Sequence, residues 1–309
     1  MPGKEIIIPL VSIIIVNWNG KHFLDSCLKS IMANTYYQNY EIIIVDNNSI
    51  DGSVQFIIEN YPKIKIIQNS SNVGFGKANN IGVNQSKGEY IVFLNNDTQV
   101  MPNWLTPLVA LVESNYHIAI VGSKIVYMDL KPQFLGDRVI PYKGIISRIL
   151  TKIEIKRDRV KEVDFIHGSC FLIKRHIFKT VGFFDEKFFI YGEESDLCAR
   201  VKGNRYQIFY NPDSLIKHFV SGTSRNSEIS YYYQRKNAFR FALLNQSTLR
   251  LFLYPIFEIP IILDSIFMQR LSILIKAYLD NIVDKSEIRE KRKQRRLYTF
   301  RLHSFFKLP

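Results

Sequence analysis

The 309-residue, 36.1 kDa chain is long enough to bury a sizeable core, and its 47% hydrophobic and 22% charged composition excludes a largely disordered or collagen-like protein. Three widely spaced cysteines, Cys27, Cys170 and Cys198, form no C-x-x-C pair, which argues against a disulfide framework or structural zinc and for a reducing cytoplasm. Lys and Arg outnumber Asp and Glu by 41 to 28, and the excess of +13 is local: Lys285 to Lys307 is net +7 and Lys143 to Lys161 is net +5.

The first apolar run, Ile6 to Val16, is interrupted by Pro9 and Ser12, so no secretion signal is expected. Leu10 to Val16, Glu41 to Asp46, Ile64 to Gln68 and Glu89 to Leu94 are short, rich in β-branched residues and closed by polar turn residues. They read as buried parallel strands. Helical periodicity separates them, with Phe23, Leu24, Cys27, Leu28 and Ile31 on one face, then Val54 to Glu59, then Lys77 to Asn84. The alternation predicts an α/β, doubly wound, mostly parallel sheet that binds ligands at the carboxyl ends of its strands. A further helix is expected to start near Pro102, followed by strands at Ile118 to Val126 and Tyr206 to Tyr210. Residues 127–162 are irregular and basic and read as an insertion or loop. A domain over 1–245 and a helical extension over 246–309 are expected.

Two phosphate-binding templates fail. After Gly74-Phe75-Gly76 the next glycine is Gly82, too far on for a dinucleotide fingerprint, and Gly76-Lys77 lacks the upstream glycine and following Ser or Thr of a Walker loop. What recurs is a polar cluster behind each strand: Asn17-Trp18-Asn19-Gly20, then Asp46-Asn47-Asn48-Ser49-Ile50-Asp51-Gly52-Ser53, then Asn95-Asn96-Asp97. Each alone could be an ordinary turn. In a parallel sheet the three converge on one edge, where amides can bind a base or ribose, and Asp97 offers the hard oxygen that Mg2+ or Mn2+ prefers.

These clusters, with Asn72-x-Gly74-Phe75 and Asn79-Asn80, resemble glycosyltransferase family 2, and most closely its rhamnosyltransferase-like branch. The likeness continues through Gly168-Ser169-Cys170-Phe171, Phe184-Asp185-Glu186-x-Phe188-Phe189, Glu193-Glu194-Ser195-Asp196-Leu197-Cys198-x-Arg200 and His218, and spans about Leu10 to Asn245. The resemblance implies a GT-A-type fold and an inverting transfer of sugar from a nucleoside-diphosphate donor, of dTDP-rhamnose or UDP-hexose type, to an acceptor hydroxyl. It implies that Asp46 bonds the base or ribose and that Asn17, Asn19, Asn48, Asn72, Gly74, Asn79 and Asn96 line the nucleotide-sugar site. Asp97 matches the last acid of the family's D-x-D metal motif, Asn95 replaces the first, and His218 shares the ion. Glu194, where the family usually has Asp, is the expected general base, with Glu193 and Asp196 as alternates; the start of a helix there would hold carboxylates ionised. His167, Gly168 and Ser169 shape the acceptor site. Arg235 contacts phosphate or lies on a solvated helix face, and Lys77 and Trp18 frame the pocket.

From Leu249 to Val283 the chain is rich in Leu, Ile and Phe but broken by charges and by Pro255 and Pro260, a poor fit to a bilayer span. Followed by the basic run, it reads as an amphipathic surface on an anionic membrane or, alternatively, as a face docked on the protein's own core. The expectation is a peripheral enzyme on the cytoplasmic face of the cell membrane, acting on a lipid-linked or cell-surface glycan precursor, with no nucleic-acid partner. A nucleotidyltransferase, or a non-catalytic sugar-nucleotide or nucleic-acid binding module, is the alternative.

Overall fold

The computed structural model describes residues 8–134, 158–219 and 227–295. Its first half alternates strand and helix: β1 (Val11–Asn17), α1 (Lys21–Asn34), β2 (Tyr40–Asp46), α2 (Ser53–Asn60), β3 (Lys65–Gln68), α3 (Phe75–Gln85) and β4 (Tyr90–Asn95). Side chains alternate across β1, so Ile13 and Ile15 pack with Leu24, Leu28 and Ile31 of α1, while Ile14 packs with Ala78 and Val83 of α3. Helices therefore cover both faces. The order β3-β2-β1-β4 is parallel throughout. It reverses direction at β1, which opens the ligand crevice of such sheets between the carboxyl ends of β1 and β4.

The second half completes the sheet differently. β5 (Thr98–Val100) and α4 (Leu105–Glu113) lead to β6 (Ile118–Val126), β7 (Pro132–Phe134), β8 (Lys161–Glu162) and β9 (Cys170–Lys174). β9 runs antiparallel between β4 and β6, pairing Leu94 with Cys170. α5 (Phe178–Val181) and α6 (Glu193–Gly203) precede β10 (Gln207–His218), which lies parallel to β6 and antiparallel to β5. β10 runs well past the expected Tyr210, because a register shift between Asn211 and Leu215 absorbs extra residues and lets pairing resume. The helix expected near Pro102 starts at Leu105 instead: Pro102 and Asn103 form a turn, with Asn103 at φ 58°. The ends of the expected insertion are strands β7 and β8; its residues 135–157 lie outside the described residues.

Four helices follow: α7 (Ser227–Asn245), α8 (Thr248–Phe267), α9 (Leu271–Val283) and α10 (Lys285–Gln294). α7 and α10 meet α6 in a separate apolar cluster of Phe188, Ala199, Phe241, Leu244 and Ile288. Ion pairs reinforce the joint. Arg240, fully buried, donates to Asp185 at 2.9 Å and Glu287 at 2.8 Å, and Lys291 reaches Asp185 at 2.9 Å. Arg295 donates to Asp196 of α6. Lys291 and Arg295 thus dock part of the basic run on Asp185 and α6. No helix among the described residues is long and apolar enough to cross a membrane.

Candidate functional site

The three polar clusters form one hydrogen-bonded lattice across the carboxyl ends of β1, β2 and β4. In register, Asn17 faces Asp46. Asn17 Nδ2 donates to Asp46 Oδ1 at 2.8 Å and Asn17 Oδ1 accepts from Asn96 Nδ2 at 2.8 Å, so one buried amide ties three strands together. Asp46 also accepts from the Ser49 hydroxyl and from the Ser49 backbone N–H, and its side chain is only 1% exposed. Asn47 extends the lattice to the next turn, donating to Asn72 Oδ1 and Gly74 O at 3.2 Å. Gly20 is required here, because a Cβ would lie 2.2 Å from Asn96 Nδ2.

Next to this lattice, β5 and β10 bring Asp97 and His218 together. His218 pairs with Thr98 across the strands, and its Nε2 lies 3.2 Å from Asp97 Oδ1. Both side chains are buried. His218 Nδ1 donates to Gln133 Oε1 at 3.1 Å, which turns Nε2 toward the Asp97 carboxylate. Two Lewis bases side by side are satisfied by a proton or a cation shared between them, and the N–H anchored on a carbonyl oxygen is how metal-binding imidazoles are oriented. The Asn95 Oδ1, two residues away, is buried and makes no hydrogen bond to the protein. Among the described residues no cluster of three or more His, Cys, Asp or Glu forms a closed metal site. Asp97 and His218 therefore fit an open site for a divalent ion that takes its other ligands from outside the chain.

The antiparallel β9 delivers the His167–Ser169 segment to the same edge, where Asn95 N donates to Ser169 O at 2.9 Å. His167 stands 5.6 Å from His218, ring centre to ring centre. The Ser169 backbone N–H and hydroxyl both face His167 Nδ1, at 3.2 Å and 2.8 Å, which places the ring proton on Nε2. Burial, with the nearby His218, lowers the His167 pKa to about 3, so the ring is neutral.

On the other side of Gly168 stands Glu194. A Cβ at Gly168 would sit 3.4 Å from the Glu194 Cδ, so the glycine lets the carboxylate approach the acceptor segment. The Cβ of Glu193 packs beside Gly76 of α3, and its Oε2 is buried without a partner. Burial raises the pKa of both, and Glu193 additionally feels the charge of Glu194 and holds its proton more tightly. The helix start therefore does not lower these pKa values as expected: desolvation outweighs the few backbone N–H groups that oppose it. The loop before them is strained, with φ of 61° at Phe189, 71° at Tyr191 and 88° at Gly192. Asn237 of α7 holds it by donating to the carbonyls of Phe188, Ile190 and Tyr191, each at 2.7 Å.

The structure thus gathers Asn96, Asp97, His167, Gly168, Ser169, Glu194 and His218 along one edge, and corrects several individual expectations. Asn17 and Asp46 are saturated internal braces. Asn79 is buried and bonded to Phe75 O of its own helix. Gly74, at φ 87°, serves a close approach: a Cβ would lie 2.7 Å from the Phe189 ring and carbonyl. Asn48 is exposed and Asn19 and Asn72 are half-buried, so these three remain at the surface of the nucleotide side. Asp196 cannot share the base role, since its fully buried carboxylate is taken by Arg200, Arg295 and Asn245. Burial acts to raise its pKa, but the charges of Arg295 and Arg200 prevail and hold it well below the carboxylate range. Arg235 belongs to the seam of α7, α8 and α9, where its charge acts on Tyr254 and Tyr278. Lys77 pairs with Glu186 at 3.2 Å, and Trp18 is exposed. Two residues escape the sequence pattern: Gln133, which carries no signal of its own, and Asn237, whose only hint is a poor helix former in mid-helix.

The family model described as "Glycosyl transferase family 2" matches residues 12–182. The uncharacterized protein y4gI of Sinorhizobium fredii is 27% identical over 231 residues, 70% of this chain and 25% of its own length. The low-salt glycan biosynthesis hexosyltransferase Agl10 of Haloferax volcanii is 26% identical over 245 residues, 74% of each chain. Among solved structures, GalNAc-T7 with UDP, GalNAc and Mn2+ superposes with a TM-score of 0.60 at 19% identity, covering 80% of this chain and 50% of that one. The chain therefore spans a quarter of the length of y4gI and half of the GalNAc-T7 chain.

Proposed function

Because this chain belongs to glycosyl transferase family 2 and folds as a GT-A-type α/β protein, we propose that it moves a sugar, with inversion, from a nucleoside-diphosphate donor to a hydroxyl of a glycan or lipid-linked acceptor. The observation that carries this reading is the convergence of Glu194, His167, His218 and Asp97 on the edge where the strand-end lattice terminates. Asn19, Asn48 and Asn72 face the nucleotide of a dTDP- or UDP-linked donor, and the buried lattice of Asn17, Asp46 and Asn96 keeps that wall rigid. Asp97 and His218 would hold Mg2+ or Mn2+, which when bound supplies positive charge to offset the charge building on the departing diphosphate.

The acceptor oxygen lies on the Gly168 side and attacks the anomeric carbon from the face opposite the diphosphate. As the new C–O bond forms and the bond to the diphosphate oxygen breaks, the hydroxyl proton passes to a Glu194 carboxylate oxygen. Its raised proton affinity makes Glu194 a stronger base than an exposed carboxylate, and burial with the neighbouring Glu194 charge raises the proton affinity of Glu193 further. His167, neutral with its proton on Nε2, can donate one hydrogen bond and no charge.

A thermal-shift panel of UDP-, GDP- and dTDP-sugars with and without Mn2+ tests the reading. A sugar nucleotide that stabilises the wild type more with Mn2+ than without it, and loses that increment in Asp97→Asn, supports it. Stabilisation by a nucleoside triphosphate accompanied by pyrophosphate release would overturn it in favour of nucleotidyl transfer.

A further inference from the structure

The helices α8 and α9 are amphipathic in the inverted sense. α8 turns its polar side chains inward: Glu258 is buried and accepts from the Tyr278 hydroxyl, and the fully buried Ser265 meets Tyr231. α9 buries Asn281 beside Leu274 and Ala277; the Asn281 Nδ2 donates to Lys236 O at 2.9 Å, and Asp280 accepts from Tyr232. Outward, α8 shows Leu249, Phe252, Ile256, Ile259, Leu263 and Ile266 at helical spacing, and Phe267 closes the stripe. Phe252 is 80% and Phe267 83% exposed. α9 continues the surface with Ile275, Leu279 and Ile282. A helix surrounded by water carries the opposite pattern.

We infer that the outer face of α8 and α9 seats on the surface of an anionic lipid bilayer. Charge complementarity selects this occupant. From α8 through α10 the exposed cations are Lys276, Lys285, Arg289 and Lys293, against the exposed acids Asp264 and Glu290. A second copy on a two-fold axis would bring these cations against themselves, whereas anionic headgroups compensate them. The seating is in the plane of the interface. Pro255 and Pro260 leave the carbonyls of Leu251 and Ile256 without their helical donors, and at headgroup depth water can satisfy them.

The apolar face drives binding, and Lys291, Arg292 and Arg295 of the basic run are held on the protein. Arg292 donates to Leu243 O at 2.8 Å, and Lys291 and Arg295 are engaged with Asp185 and Asp196, so cutting the chain after Val283 would strip partners from buried acids rather than simply release it. The inference deepens the reading of a lipid-linked acceptor and rests on it only for its purpose, since flotation requires no turnover.

Flotation of the full chain with phosphatidylcholine vesicles, alone or with 30% phosphatidylglycerol, tests it against the triple variant Phe252→Ser, Leu263→Ser, Phe267→Ser. The wild type is expected to float with the anionic vesicles, less so at high salt, and the variant to partition roughly tenfold or more weakly. Thermal stability and sugar-nucleotide binding of the variant should be unchanged. Equal binding to neutral vesicles would overturn the anionic requirement. Failure to float, together with a wild-type dimer by light scattering that the substitutions disperse, would replace the bilayer by a second copy. Normal flotation with no sugar-nucleotide binding would instead sink the transferase reading and leave the membrane face standing.

Discussion

The two sides of the site are built on opposite terms. On the proposed nucleotide side, Asn17, Asp46, Asn47 and Asn96 use one another, and the turns they close, to satisfy their hydrogen bonds. On the catalytic side, Glu193 Oε2 is buried without a partner, two carboxylates have raised pKa values, and the preceding loop holds two non-glycine residues at positive φ. A hydrogen-bonded lattice fixes geometry; desolvated acids behind a strained loop keep proton affinity available for chemistry. Rigidity and reactivity are thus assigned to different segments, joined through Gly74 against Phe189 and Ser169 against Asn95.

Substitutions can break this contrast at graded strength. Asp97→Asn removes the carboxylate facing His218 and should lower transfer by roughly 10²–10³-fold, with the Mn2+ dependence of donor binding lost in calorimetry. Arg295→Ala takes a charged partner from the fully buried Asp196 and should lower unfolding free energy by about 3 kcal/mol in urea titrations, with partial recovery in Arg295→Lys. The sign follows from the depressed Asp196 pKa. Stability from the pair is present above the ordinary Asp value near about 4 and is lost as pH falls toward the depressed one, so wild type and variant should converge in acid.

Asn237→Ala frees three loop carbonyls and should cost about 1–2 kcal/mol while lowering kcat more than it raises the donor KM. Glu193→Gln gives the smallest change. The folded state binds the Glu193 proton more tightly than the unfolded chain does, so stability falls as pH rises from the ordinary Glu value toward the raised one. The Gln variant lacks that loss, and its Tm should exceed the wild type's by a few degrees at pH 8 but not at pH 4.

Much of the nucleotide half is legible in the amino-acid sequence. Apolar runs closed by Asn and Asp turn residues mark β1 to β4 to within a residue or so, and the Ile118–Val126 strand lies where its apolar pattern predicts. The local pattern suffices there because a parallel strand buried on both faces is apolar throughout. The polar clusters mark the site, but not which amides face outward, since burial of Asn17 and Asn79 depends on partners elsewhere in the chain. The antiparallel insertion of β9, the register shift in β10, Gln133 and the Arg295–Asp196 pair 99 residues apart are long-range facts with no local signature. The basic C-terminal run is visible as charge, yet Lys291, Arg292 and Arg295 in its first part turn onto Asp185, the Leu243 carbonyl and Asp196.

The most direct measurement compares donor binding and sugar transfer in Glu194→Gln, which keeps the shape of the side chain and removes its basicity. Donor affinity within about twofold of wild type, with transfer reduced by roughly 10²–10⁴-fold, is the expected result. Near-normal turnover would contradict it and assign the proton to another group.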